Sequence, residues 1–139
     1  MNRRVPIFLT LLIILVLINA SCKKDEPVDE NSHPLYGKWE WVSSFGGIAG
    51  QKITPASEGY TVTVEFAQAN QYFYYKNDTL TRTDTYTIKE TENSNMFDYI
   101  IEYGSSQSYP DQYMDFPYPD TLRLIDNCFD CYDNVYVRK

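Results

Sequence analysis

"YTVTVEFAQANQYFYYKNDTLTRTDTYT", residues 60 to 87, is the stretch that decides the fold. Its first seven residues alternate, with Tyr60, Val62, Val64 and Phe66 on one face and Thr61, Thr63 and Glu65 on the other. A period of two belongs to a β-strand with one buried side. A second strand is expected over residues 71–76. "KNDT" then supplies Asn77 and Asp78, which tolerate the left-handed backbone of a tight hairpin turn. In the strand that follows, Thr79, Thr81, Thr83, Thr85 and Thr87 share one face, expected to meet solvent. Three antiparallel strands joined by short connections begin a meander.

The same pattern extends in both directions. In "GKWEWVSSF", residues 37–45, Trp39, Trp41, Ser43 and Phe45 share one face, with Lys38, Glu40 and Ser44 on the other. "GGIAGQKITPASEG", residues 46–59, reads as a long loop because Gly and Pro punctuate it throughout. Further strands are expected from Met96 to Tyr103, around Tyr113, from Thr121 to Ile125 and from Asn134 to Arg138. Thirteen tyrosines and 16% aromatic residues suit a half-buried pleated surface. The expectation is an all-β antiparallel up-and-down barrel of about eight strands, in which closure removes the unpaired edges.

The first residues carry a different signal. Arg3 and Arg4 precede an apolar run from Ile7 to Ile18, and Ala20 and Ser21 stand directly before Cys22. This is the order of a secretory signal, and the run is shorter than the roughly 18 apolar residues a spanning helix needs. Read as a lipobox, "NASC" makes Cys22 the lipidated first residue of the mature chain. Several acyl chains on one cysteine give stable anchoring where one does not. Residues 1–21 are then the signal peptide, 22–34 the lipidated cysteine and a flexible polar tether, and 35–139 the barrel. Asn19 departs from the leucine usual three residues before the cysteine.

Without residues 1–21, 118 residues remain, enough for one domain with a modest core. Two of the 12 basic residues and none of the 19 acidic ones are lost, so the remainder carries a net charge of −9. Phosphate binding needs clustered Lys and Arg, so nucleic acid is not an expected partner.

"NASCKKDE" resembles the start of lipoproteins of the Bacteroidetes group, in which a lysine and acids after the cysteine resemble a surface-export signal. Lys23, Lys24, Asp25 and Glu26 fit that pattern with one lysine extra, and fit a solvated tether equally well. "LYGKWEWVSS", "LRLIDNC" and "YVRK" resemble the lipocalin-like domains of such lipoproteins, over most of residues 35–139. Gly37, Lys38 and Trp39 match the lipocalin Gly-x-Trp motif. The resemblance implies that Trp39 closes one end of the barrel and that Arg138, on the last strand, stacks over its ring. It also implies an outer-membrane location, with exposure on the cell surface as an open alternative. Asp78-Thr79-Leu80 and Asp120-Thr121-Leu122 resemble the sites that this group glycosylates on threonine.

Residues that could carry chemistry are few. Cys128 and Cys131 form a C-x-x-C pair, but the single histidine, His33, lies in the expected tether, so a four-ligand zinc site is not expected. No βαβ pattern surrounds the pair, which leaves a short structural disulfide or two separate thiols. Asp126, Asp130, Asp133 and Asn134 lie close together but lack the spacing and glycine of a calcium loop, and read as a solvated acidic turn. There is no nucleophile elbow, no H-E-x-x-H and no phosphate loop, so no enzyme activity, metal or cofactor is expected.

The segment from Tyr103 to Asp120 interleaves Tyr109, Tyr113, Phe116 and Tyr118 with Pro110, Pro117 and Pro119. Stiffened aromatic loops offer large contact area at low entropy cost, so these four rings are the candidate ligand rim. The competing reading is that they only cover the open end of the barrel. Two functions follow. One is a lipid-anchored binding module holding a small apolar, carbohydrate or peptide ligand between the 45–59 and 103–120 loops. The other is a barrel filled by its own side chains that contacts an envelope protein.

Overall fold

The structure is a computed structural model that describes residues 33–91, 97–105 and 110–139. Nine strands and one short helix follow in chain order: β1 (Gly37–Gly46), β2 (Gln51–Ile53), α1 (Pro55–Glu58), β3 (Val62–Ala67), β4 (Gln71–Lys76), β5 (Thr79–Glu90), β6 (Tyr99–Tyr103), β7 (Gln112–Tyr118), β8 (Thr121–Asp126) and β9 (Tyr132–Arg138). From β3 onward each strand pairs antiparallel with the next, β1 pairs with β3, and β9 returns to β1. Eight strands thus close an antiparallel up-and-down barrel, with β2 added beside residues 44–46 of β1.

The alternation of residues 60–87 becomes the wall of this barrel. Val62, Val64 and Phe66 are buried. Asn77 and Asp78 adopt φ of 48° and 59°, the left-handed pair of a tight hairpin. The five threonines of β5 face solvent, while Arg82, Asp84, Tyr86 and Ile88 alternate with them. Met96, the expected start of β6, lies outside the described residues, and the strand begins at Tyr99.

Three differences from the expected pattern position the interior. First, a bulge between Trp41 and Ser43 in the pairing of β1 with β9 inserts one residue and reverses the alternation. Trp39 and Trp41 point inward as expected, but beyond the bulge Ser44 is buried and Phe45 is exposed. Second, the 46–59 segment is not a plain loop. It folds back as β2 and then as α1, whose N-cap Thr54 exchanges hydrogen bonds with Ser57.

Third, the 103–120 segment is largely strand rather than loop. β7 runs through Pro117, which falls where its ladder with β8 shifts register between Asp115 and Tyr118. Proline lacks an N–H, so it is accepted at such a break.

Aromatic rings fill the middle of the barrel. Phe66 meets Tyr72 at 5.2 Å and Tyr86 at 5.1 Å, and Tyr72 meets Tyr103 at 5.0 Å, all tilted or edge-on. At one end Trp39 is wholly buried, and its indole N–H donates to the Leu35 carbonyl at 2.8 Å. His33 packs here too, its Nδ1 accepting from the Leu35 N–H at 3.2 Å.

Candidate functional site

At the other end, where β1 finishes and β9 begins, the interior opens into a cavity of about 170 Å³. Its wall combines Trp41, Val62, Tyr74 and Tyr136 from the strands with Ile53 of β2, Tyr60 and Tyr132. Trp41 and Tyr60 stack with centroids 5.9 Å apart. The polar part of the wall is Ser44, Gln112, Asp126 and Asn134.

Strand register brings these polar groups together. Ser44 faces Asn134 across β1 and β9, Asn134 faces Leu124 across β9 and β8, and Gln112 faces Asp126 across β7 and β8. Their side chains form a continuous relay. The Trp41 indole N–H donates to Ser44 Oγ at 2.8 Å, and Ser44 donates to Asn134 Oδ1 at 2.5 Å. Asn134 Nδ2 donates to Asp126 Oδ1 at 3.2 Å. From the other side Tyr103 donates to Gln112 Oε1 at 2.7 Å, and Gln112 Nε2 donates to Asp126 Oδ1 at 2.6 Å. Burial holds the Tyr103 hydroxyl far above its ordinary pKa, so it stays protonated and keeps its role as donor.

Both arms of the relay end on Asp126. Among the described residues its Oδ2 accepts only the Tyr132 main-chain N–H, at 3.3 Å. Among the described residues no Lys, Arg or His pairs with this carboxylate. Asp126 is also the one charged side chain in the cavity wall.

The rim is built from the ends of β1 and the turn before β9. Cys128 and Cys131 are joined by a disulfide, with Cα atoms 5.6 Å apart. The Gly47 N–H donates to the Cys131 carbonyl at 3.3 Å. Gly46, at φ 151°, lies so close that a Cβ would stand 2.1 Å from that carbonyl oxygen. Only glycine allows the two turns to meet. From the same two turns Ile48 and Phe129 project into solvent, 94% and 93% exposed, with Phe45 nearby on β1.

A charged pair lies deeper in the barrel. Arg82 is ion-paired with Asp84 and stands 5.6 Å from the ring centroids of both Tyr72 and Tyr103. Burial pushes the Asp84 carboxyl up, but hydrogen bonds from Ser105, Arg82 and the Thr85 N–H outweigh it and hold it down to about 2.

The residues singled out from sequence fall in three places. Arg138 lies over Trp39, 4.2 Å from the ring centroid, at the end opposite the cavity. Phe116 lies at that end too, 5.9 Å from the Trp39 ring, in the wall of a separate cavity of about 240 Å³. Tyr113 alternates with the buried Gln112 and Met114, which turns it to the outside, where it stacks on Phe97 at 5.5 Å. Tyr118 is 71% exposed beside the β7–β8 turn. Tyr113, Phe116 and Tyr118 are not among the residues lining the cavity that holds the relay. Cys22 and Tyr109 lie outside the described residues.

Sequence reading missed Trp41, Ser44, Tyr60 and Gln112 as neighbours of one site. It noted Asp126 and Asn134, but as a solvated turn rather than as the wall of a cavity. Among the described residues no group of three or more His, Cys, Asp or Glu side chains could hold a metal ion. At the opposite end lie two further cavities, one of about 280 Å³ lined by Glu90, Thr91, Asp98 and Tyr99 and one of about 240 Å³ lined by Phe97, Asp98, Tyr99, Met114, Asp115 and Phe116. No protein-family model, no curated protein and no solved structure matches the chain.

Proposed function

We propose that this protein is a lipid-anchored envelope lipoprotein whose barrel, of the lipocalin-like kind, binds a small ligand in the cavity between β1, β7, β8 and β9. The observation that carries the proposal is the convergence of the Ser44–Asn134–Asp126–Gln112 relay on the cavity at the end of the barrel where β1 finishes and β9 begins. Apolar walls with a few convergent polar groups are the usual make-up of a small-molecule site. At about 170 Å³ the cavity is smaller than the roughly 300 Å³ at the low end for drug-sized ligands. It is close to the ~150 Å³ that accepts a single benzene ring.

The anchor rests on the sequence around Cys22, which predicts cleavage before that residue, a lipidated amino terminus and an outer-membrane location. The protein is read as a non-enzyme that needs no cofactor, since no catalytic motif is present. Native mass spectrometry of the full-length protein in detergent, mixed with the small-molecule fraction of a cell-envelope extract, tests the binding. The expected result is an adduct that disappears in Tyr60→Ala. A bare protein across the whole extract overturns it.

A second reading has its own support. The barrel is largely filled by its own aromatic rings, and Ile48 and Phe129 stand almost fully exposed on adjoining turns. In that reading the rim contacts another envelope protein, and Ile48→Ser with Phe129→Ser abolishes the contact while Tyr60→Ala leaves it intact.

A further inference from the structure

We infer that the ligand of this cavity is a small organic cation, a primary or quaternary ammonium of about one ring in size, whose charge is met by Asp126 and by the aromatic wall. This rests on the reading of the cavity as a binding site and adds its chemistry.

The argument begins with the charge of Asp126. Three neutral groups donate to it, two on Oδ1 and one long contact on Oδ2. A carboxylate offers about four acceptor positions, so Asp126, which lines the cavity, retains acceptor capacity. Neutral donors orient a carboxylate but do not cancel its charge. A half-buried carboxylate with no cation paired to it among the described residues attracts one more strongly than an exposed carboxylate does, because the surrounding dielectric is lower. An anionic ligand meets like charge here, and an apolar one leaves the carboxylate desolvated and unmatched.

The second, independent observation is the aromatic wall. Trp41, Tyr60, Tyr74, Tyr132 and Tyr136 surround the cavity. Ring faces carry negative potential, and cages of such rings are a recurrent way to hold ammonium groups. One of these rings already carries a cation: the Lys76 ammonium stands 3.8 Å from the Tyr60 centroid. Lys76 is exposed, so water and salt screen its repulsion of a second cation. A carboxylate at one side of a ring-sized space lined by rings matches an ammonium group attached to, or no larger than, a single ring.

The test is an NMR titration of the full-length protein in detergent micelles, following the Trp41 indole N–H signal. Three probes share one ring and differ in charge: benzylammonium, benzyl alcohol and benzoate. Benzylammonium is expected to bind about tenfold tighter than benzyl alcohol, equivalent to about 1.4 kcal/mol, with benzoate weakest. Asp126→Asn is expected to erase the preference while benzyl alcohol binding persists. If Asp126→Asn does not fold, the ranking of the three probes on the unaltered protein still decides. Equal binding of the ammonium and the alcohol overturns the cation assignment but leaves the cavity a ligand site. Silence from all three probes also overturns it, and the envelope-extract experiment then decides the broader reading separately.

Discussion

The guanidinium of Arg138 caps the indole of Trp39 from across 99 residues of chain, 4.2 Å from the ring centroid. The same guanidinium donates to the carbonyls of Tyr36 at 3.0 Å and Pro34 at 2.7 Å, fastening the entering chain to the last strand. Gly37 leaves room for it, since a Cβ there would stand 3.1 Å from Arg138 Nη1. Arg138→Ala is expected to cost about 1–2 kcal/mol in urea denaturation, from the lost cation–π contact and the two carbonyls left to water. Arg138→Lys should recover less than half, because an ammonium cannot span both carbonyls in a fixed fork.

The Arg82–Asp84 pair predicts a pH dependence. The Asp84 carboxyl is held at about 2, below its ordinary value of 3.8, so the folded state favours its ionised form. Its contribution is therefore complete above the unfolded value near 4 and is lost as pH falls from there toward 2. Asp84→Ala also leaves Arg82 without its carboxylate, and is expected to destabilise by about 3 kcal/mol at pH 7. Denaturation midpoints of the two proteins at pH 7 and pH 2.5 check this, with the gap narrowing at the lower pH.

Removing the hydroxyl that links the two strands of the relay tests its coherence. Ser44→Ala deprives the buried Trp41 N–H and Asn134 Oδ1 of their partner, at about 1–3 kcal/mol. Combining it with Asn134→Ala should cost less than the sum of the single changes, because both remove the same hydrogen bond. A double-mutant cycle by thermal or urea denaturation measures the difference.

The rim depends on backbone proximity. Gly46→Ala would force a methyl group against the Cys131 carbonyl, and is expected to cost about 2 kcal/mol or more and to displace the disulfide turn. Cleaving the disulfide by Cys128→Ser with Cys131→Ser releases a loop of only a few residues, so about 2 kcal/mol is the expected loss. Hydrogen exchange should show both changes confined to residues 46–50 and 126–132.

The barrel was legible in the sequence because most of its strands bury one face and leave the other wet. Val62 to Phe66 and the threonines of β5 could be placed from alternation alone. What could not be seen is where alternation slips. The bulge after Trp41 costs one residue and no special side chain, yet it exchanges Phe45 for Ser44 in the interior and so creates the polar wall. The proline-rich segment from Tyr103 to Asp120 reads as a loop, although Pro117 is accommodated where β7 already breaks register. The site was illegible for a further reason: Ser44 and Asn134 are 90 residues apart, and only the closure of β1 on β9 makes them neighbours.

The most direct test of the account is a backbone amide chemical-shift map of the full-length protein in detergent micelles, recorded with and without the small-molecule fraction of the envelope extract. The account predicts changes concentrated at Ser44, Val62, Gln112, Asp126 and Asn134, the strands that face the cavity. No changes, or changes confined to Ile48, Phe129 and their neighbours on the outer rim, would contradict it.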